Sequence, residues 1–383
     1  MKPLIPWARP HLFGDEAERV REALSSTWIS GGPFIDQFED IIRDFVGARF
    51  ACATSNGTTA LHLAFLALGI GPGSEVIVPG FAYLGAANIA LLCGARPVFA
   101  EVDPTTWCLT AKEVERVLTP RTKAVVAIHT YGNMCEMDAL KALLADKQIP
   151  LLEDAAEALG SSYHGKAAGS LGVIGIYSFH ATKTITTGEG GMVVTDDQGA
   201  FERMQLYRSH GMARDVRYYW HEVAGHNFRL TNLQAALGCA QFAHFAEVKR
   251  SRAALHHQYW ERLQSEQGVI LQQFPESVIP VLWALAVRLD PSAFPQGRDA
   301  VIDEMRDRGI ECRPGFYAAS QQPLYDAAPL PICEDLARQI ISLPCYVGLE
   351  EYQVNYICHT LLERRRPSLR GNKPAQTYEY ALH

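Results

Sequence analysis

The stretch IGIYSFHATKTITTGEGGMVVTD, residues 174–196, decides the fold. It begins and ends in apolar runs of strand length, IGIYSFH (174–180) and GMVVTD (191–196), and the polar, glycine-rich segment between them carries a single lysine, Lys183. Continuous apolar runs bounded by turn residues are the mark of strands buried on both faces. Five more such runs lie upstream: RFACATS (49–55), SEVIVPG (74–80), RPVFAEV (96–102), KAVVAIH (123–129) and PLLEDA (150–155). Helix-length segments separate several of them. In TTALHLAFLALG (58–69), for example, Leu61, Phe65 and Leu68 recur at helical spacing. Strands alternating with helices predict an α/β sheet covered on both faces.

Outward from this region the pattern changes twice. Toward the N-terminus, DEAERVREALSS (15–26) predicts a helix and WISGG (28–32) a loop, because paired glycines break either regular pattern. Beyond residue 235, LQAALGCAQFAHFAEVKRSRAALHHQYWERLQSE predicts one long helix, with no glycine or proline after Gly238. Strand candidates in VIPVLWALAV (278–287) and helices near 299–308, 335–342 and 350–362 follow, as expected of a smaller α/β unit. We therefore expect an N-terminal segment and large domain over 1–240, a small C-terminal α/β domain over 241–365 and a flexible tail over 366–383.

The 383 residues are 48% hydrophobic and 20% charged, with a net charge of -7, the balance of an ordinary globular enzyme or binding protein. That charge argues against a nucleic-acid surface. Nine scattered cysteines, with no CxxC pair, argue against a disulfide scaffold or a zinc site and for a reducing, cytoplasmic setting. The N-terminus lacks a signal-peptide core. The most apolar stretch, 86–100, is broken by Asn88, Gly94, Arg96 and Pro97, too short for a membrane span.

Three tempting motifs fail. GSSYHGKA (160–167) has P-loop spacing but alanine where Ser or Thr must hold magnesium. HEVAGH (221–226) places its histidines five apart, off one helix face, and GIGPGS (69–74) lacks the dinucleotide-binding glycine pattern. Three pieces survive, each where a strand meets a loop. SNGTTALH (55–62) runs from a strand through Gly57 and Thr58 into a helix, a junction whose free N–H groups suit phosphate. EDAAE (153–157) puts Asp154 and Glu157 at a strand end, where two carboxylates can bind a metal, act as acid and base, or simply cap a helix. SFHATKTITTGEGGMV (178–193) supplies Lys183. A phosphate cradle, a carboxylate and a lysine are the parts that a pyridoxal-phosphate (PLP) enzyme needs.

Together with WISGGPFIDQFE, HTYGNMCEMDAL and HNFRLTNLQAALG, these segments resemble the DegT/StrS family of nucleotide-sugar aminotransferases over about residues 8–362. The resemblance implies PLP-dependent transferase fold type I, an α/β fold whose large domain holds a mixed, mostly parallel seven-stranded sheet. It implies that Lys183 is catalytic, holding PLP as a Schiff base and moving the proton during transfer. It assigns Asp154 to the pyridinium nitrogen, Gly57 and Thr58 to the phosphate with Ser178 in support, and Glu157 to the ring hydroxyl. Tyr83 takes the stacking position on the ring, with Phe81 as competitor. Asn227, in HNFRL, matches an asparagine that reaches the phosphate in a neighbouring subunit, so a homodimer with shared sites is implied. The implied reaction carries an amino group from L-glutamate, through the pyridoxamine phosphate form, to a keto-sugar, and TITTGEGGM points to a nucleotide-linked 4-keto-6-deoxy sugar. A keto-cyclitol aminotransferase would share every cofactor residue. A non-catalytic regulator of this fold would be expected to lack Lys183 or Asp154, and the N-terminal segment argues against an aldolase or lyase. His180, beside the lysine loop, has no assigned role.

Overall fold

The computed structural model describes residues 4–213, 217 and 219–366. The expected tail, apart from Arg366, lies outside them.

Along the chain the elements are α1 (Glu16–Ser25), α2 (Pro33–Val46), β1 (Phe50–Thr54), α3 (Gly57–Ala67), β2 (Glu75–Pro79), α4 (Gly85–Leu92) and β3 (Arg96–Ala100). Next come α5 (Ala111–Val117), β4 (Thr122–Ile128), α6 (Met137–Ala145), β5 (Leu151–Asp154), β6 (Ser162–Tyr163) and β7 (Lys166–Ala167). The large sheet is completed by β8 (Ile174–Ser178) and β9 (Gly191–Thr195), and α7 (Gln198–Arg208) follows. The remainder is α8 (Asn232–Ala243), α9 (Phe245–Leu263), β10 (Val269–Leu271), β11 (Val278–Ile279) and β12 (Leu285–Leu289). It ends with α10 (Arg298–Asp307), β13 (Arg313–Pro314), α11 (Pro331–Gln339), β14 (Ile340–Leu343) and α12 (Glu351–Leu362).

All seven apolar runs enter one seven-stranded sheet, ordered β1-β9-β8-β5-β4-β2-β3. Only β9 runs against its neighbours, pairing antiparallel with both β1 and β8, so the sheet is mixed and mostly parallel as expected. Helices cover both faces. Phe38, Ile42 and Phe179 belong to the core on one side, and Leu63, Phe65, Val76 and Val78 to the core on the other. Burial on both faces is why β2 and β9 read as near-continuous apolar runs rather than alternating ones, while β5 begins apolar and ends in the buried Glu153 and Asp154.

The C-terminal half forms an antiparallel sheet, β10-β12-β14-β13, over its own core. The run VIPVLWALAV divides between two sheets: β11 joins the β6–β7 hairpin, and β12 enters the C-terminal sheet. The N-terminal segment leans on that second unit, with Ile5 bridging Ile310 and the Trp7 N–H donating to Glu311.

Two expectations are corrected. The long helix is two, α8 and α9, broken at His244, whose ring stacks on Phe13 at 4.3 Å and bonds Asp15 at 3.1 Å. The helix expected near 335–342 starts earlier, at Pro331, and stops at Gln339. Ile340–Leu343 is instead a fully buried strand against β12, where adjacent isoleucines fit a pleated surface better than a helix.

Candidate active site

The C-terminal ends of β4, β5 and β8 and the start of α3 open onto one cavity of about 550 Å³, within the usual range for a small-molecule site. Its position is where ligands bind in open α/β sheets.

Gly57 is the first residue of α3, capped by Asn56, whose side chain accepts from the Thr59 N–H at 2.8 Å. The helix's leading N–H groups therefore have no intrahelical acceptors and present the positive end of its dipole. A Cβ on Gly57 would lie 2.8 Å from Ser178 Cβ, closer than real Cβ atoms come, so the residue is glycine because α3 starts hard against the end of β8. Thr58 is exposed beside it and Ser178 closes the other side.

Asp154 ends β5. Its Oδ1 accepts the Ala156 N–H at 3.1 Å, and this one contact does not compensate its burial. Burial pushes its carboxyl above the usual carboxylate range, with the Ala156 N–H, Lys183 and His129 pulling the other way. Burial likewise pushes Glu157 up to about 7, the Lys183 ammonium and the Tyr131 N–H opposing it and the Asp154 charge adding to it. Glu157 Oε2 accepts that Tyr131 N–H at 2.8 Å, while Oε1 stands 3.8 Å from Lys183 Nζ. Lys183 itself is pushed down by burial, against the pull of Glu157 and Asp154. Two buried carboxylates thus share one partly buried ammonium, and the site favours a further cationic group.

Tyr83, 63% exposed, lines the cavity, whereas Phe81 is fully buried in the core against Phe316. His180 also lines it, with Nδ1 3.0 Å from Thr182 Oγ1. Gly57, Thr58, Tyr83, Asp154, Glu157, Ser178 and Lys183 therefore meet in one place. Asn227 does not line this cavity; its side-chain oxygen accepts from Arg229 Nε at 3.0 Å and its backbone bridges Ser209.

Several lining residues were not anticipated. Trp7, Trp283, Arg313 and Phe316 arrive from the N-terminal segment and the C-terminal unit, and Tyr131 from the turn after β4. Tyr131 adopts φ 61, unusual for a bulky side chain, with its ring between Trp283 and Phe316. Its place directly after an apolar strand was a usable signal. No local spacing marked the others.

The arrangement suits PLP on its own terms. The α3 start offers an anion cradle bounded by Ser178, Asp154 is a buried carboxylate that accepts the Ala156 N–H, and Lys183 is a partly buried amine at the cavity wall. Fold and site together fit a PLP-dependent aminotransferase. The chain belongs to the DegT/DnrJ/EryC1/StrS aminotransferase family, whose model matches residues 11–362, and is thus one of the PLP-dependent sugar aminotransferases. It is 40% identical over 366 residues to a GDP-perosamine synthase of Caulobacter vibrioides, covering 94% of this chain and 98% of that one. A GDP-perosamine synthase of Escherichia coli O157:H7 is 39% identical over 364 residues, with the same coverages of 94% and 98%. Among solved structures, the aminotransferase TlmJ from Streptoalloteichus hindustanus superposes with a TM-score of 0.89 at 32% identity, covering 94% of this chain and 98% of that one.

Proposed function

We propose that the chain moves an amino group from L-glutamate to a nucleotide-linked 4-keto-6-deoxy sugar, with PLP held by Lys183. The observation that carries this reading is the convergence of Lys183, Asp154, Glu157 and the Gly57 cradle on one cavity. The 40% identity to an enzyme named for a GDP-linked amino sugar makes a GDP-linked keto-sugar the first acceptor to offer.

PLP, when bound, supplies an electron sink for the carbanion that amino transfer requires. The chain supplies the rest. The α3 N–H groups and Ser178 would hold the phosphate, and the Asp154 carboxylate would keep a proton on the ring nitrogen. Tyr83 covers one face of the site. Burial lowers the Lys183 pKa, so a larger share of its Nζ is the neutral amine near neutral pH. That amine can then take a proton from the reacting carbon and give it back. Arg313, at the cavity rim, is a permanent cation for a carboxylate or phosphate of the substrates. The functional unit is a cytoplasmic homodimer in which the partner subunit's Asn227 completes each phosphate site. Among the described residues no helix is long and apolar enough to cross a membrane.

The test starts with the purified, PLP-loaded protein and its visible absorption band. L-glutamate alone should bleach the band, and a GDP-linked 4-keto-6-deoxy hexose should restore it while an amino-sugar appears by mass spectrometry. A band that ignores L-glutamate and every other amino donor would overturn the aminotransferase assignment.

A further inference from the structure

The Lys183 amine has an aromatic ring as close to it as its closest carboxylate partner. Nζ lies 3.8 Å from the centre of the Trp283 ring. Glu157 Oε1 is also 3.8 Å from Nζ, well beyond the roughly 2.7–2.9 Å of a charge-assisted hydrogen bond. Trp283 lies between β11 and β12, in the C-terminal half, yet its Nε1 donates to the Thr182 carbonyl at 2.8 Å, one residue before the lysine. The indole has two further ring neighbours. Trp7 packs edge-on at 5.4 Å, and the Tyr131 ring lies nearly parallel, 12° off, at 6.3 Å. The Trp283 backbone N–H donates to Tyr131 at 3.2 Å, and its carbonyl accepts from buried Arg252 at 3.0 Å.

We propose that Trp283 is the positioning residue of Lys183: its ring face is the resting place of the free ε-ammonium, and its indole N–H fixes the lysine loop through Thr182. The inference rests on reading Lys183 as the reacting lysine. A free lysine on four methylenes has much rotamer freedom to lose before it can act. An ion pair at contact distance would hold it still but would also hold its proton. A ring face attracts the ammonium more weakly, so the amine stays near the reacting atoms and still gives the proton up. This also gives the C-terminal half a direct hold on a group of the large sheet. The charges that act on Lys183 are Glu157 and Asp154, and substitution of the uncharged Trp283 removes neither.

The test measures the Lys183 amine itself in the full-length, cofactor-free protein. Competitive acetylation followed by mass spectrometry gives the pH midpoint of Lys183 labelling, with exposed Lys123 as internal reference. Trp283→Phe keeps a ring face and loses the N–H; Trp283→Leu loses both. We expect the Leu variant to label with a midpoint lower by about 0.4 to 1.5 pH units, the loss of a cation–π contact, and Phe to fall between. A Leu variant that folds and labels at the wild-type midpoint overturns the proposal. Should Trp283→Leu not fold, tryptophan emission decides. Wild-type protein should show a pH-dependent component at the Lys183 midpoint, absent from both Lys183→Met and Trp283→Phe. Its absence from the wild type overturns the proposal equally. Failure of the aminotransferase reading would be separate: a PLP-loaded wild-type protein indifferent to every amino donor, whatever the labelling shows.

Discussion

The sharpest consequence of the site geometry is at Gly57. An alanine there places a Cβ 2.8 Å from Ser178 Cβ and 3.3 Å from its Oγ. Carbon atoms rest about 3.5–4.0 Å apart, so the start of α3 must retreat from β8 by about 0.7 to 1.2 Å. Gly57 has helical geometry rather than a left-handed φ, so alanine brings no backbone strain, and it favours the helix by propensity. The whole penalty is therefore steric. Overpacking of this size costs about 1–3 kcal/mol. Because the retreat carries the cradle N–H groups away from the phosphate, we expect it mainly as PLP affinity weaker by about 5- to 150-fold. The assay is titration of cofactor-free protein with PLP, followed by the visible band, beside thermal melts without PLP. Ser178→Gly removes the atoms in the way, so Gly57→Ala/Ser178→Gly should bind PLP better than the two single losses predict when added. Wild-type PLP affinity and melting temperature in Gly57→Ala would refute the argument that this glycine exists to let helix and strand meet.

Other predictions test different parts of the site. Glu157 is raised to about 7 by burial, so between its ordinary value of 4.5 and 7 the folded protein holds a proton that the unfolded chain has released. That contribution to stability is full below pH 4.5 and is lost as pH rises through 7, on the order of 3 kcal/mol. Glu157→Gln should flatten this part of the pH–stability curve of the cofactor-free protein, measured by urea unfolding; an unchanged slope would contradict it. Asp154→Asn should keep the fold, since it removes a buried charge held by the Ala156 N–H, but lower kcat by about a hundredfold or more through loss of electrostatic stabilisation. Equal kcat would remove Asp154 from the ring nitrogen. If sites are shared, Lys183→Ala and Asn227→Ala chains, each inactive alone, should on random mixing regain about a quarter of wild-type activity, because half the dimers are mixed and each has one intact site. Mixtures with no activity would place Asn227 outside the partner's site.

How much of this was readable from residues alone depends on the range of the interactions involved. The seven strands of the large sheet were legible because nearly all are buried on both faces and so are written as apolar runs between turn residues; edge strand β3 is only partly buried but reads the same way. Lys183, Asp154, Glu157, Ser178 and Gly57 were legible because they sit at or just after the ends of such runs, where the chain itself says that a loop begins. His244 was not legible. Nothing in FAHFAEV breaks a helix, and the break coincides with the capture of the ring by Phe13 and Asp15, more than two hundred residues away. Ile340–Leu343 failed for a related reason, since a short apolar run next to a helix takes its state from the partner it finds, here β12. Trp7, Trp283 and Arg313 form the other wall of the cavity, and they reach it only because the N-terminal segment and the C-terminal sheet fold back over the strand ends. The two walls therefore differ in kind. The cradle and its carboxylates are positioned by strand ends and turns, which local sequence encodes. The aromatic wall that faces Lys183 is positioned by packing between distant segments, so its ring geometry will respond to changes far from the lysine. A substitution that loosens Trp7 from Ser342, to whose hydroxyl its indole N–H donates at 2.8 Å, should reach Lys183 through Trp283 without touching any group that binds the cofactor.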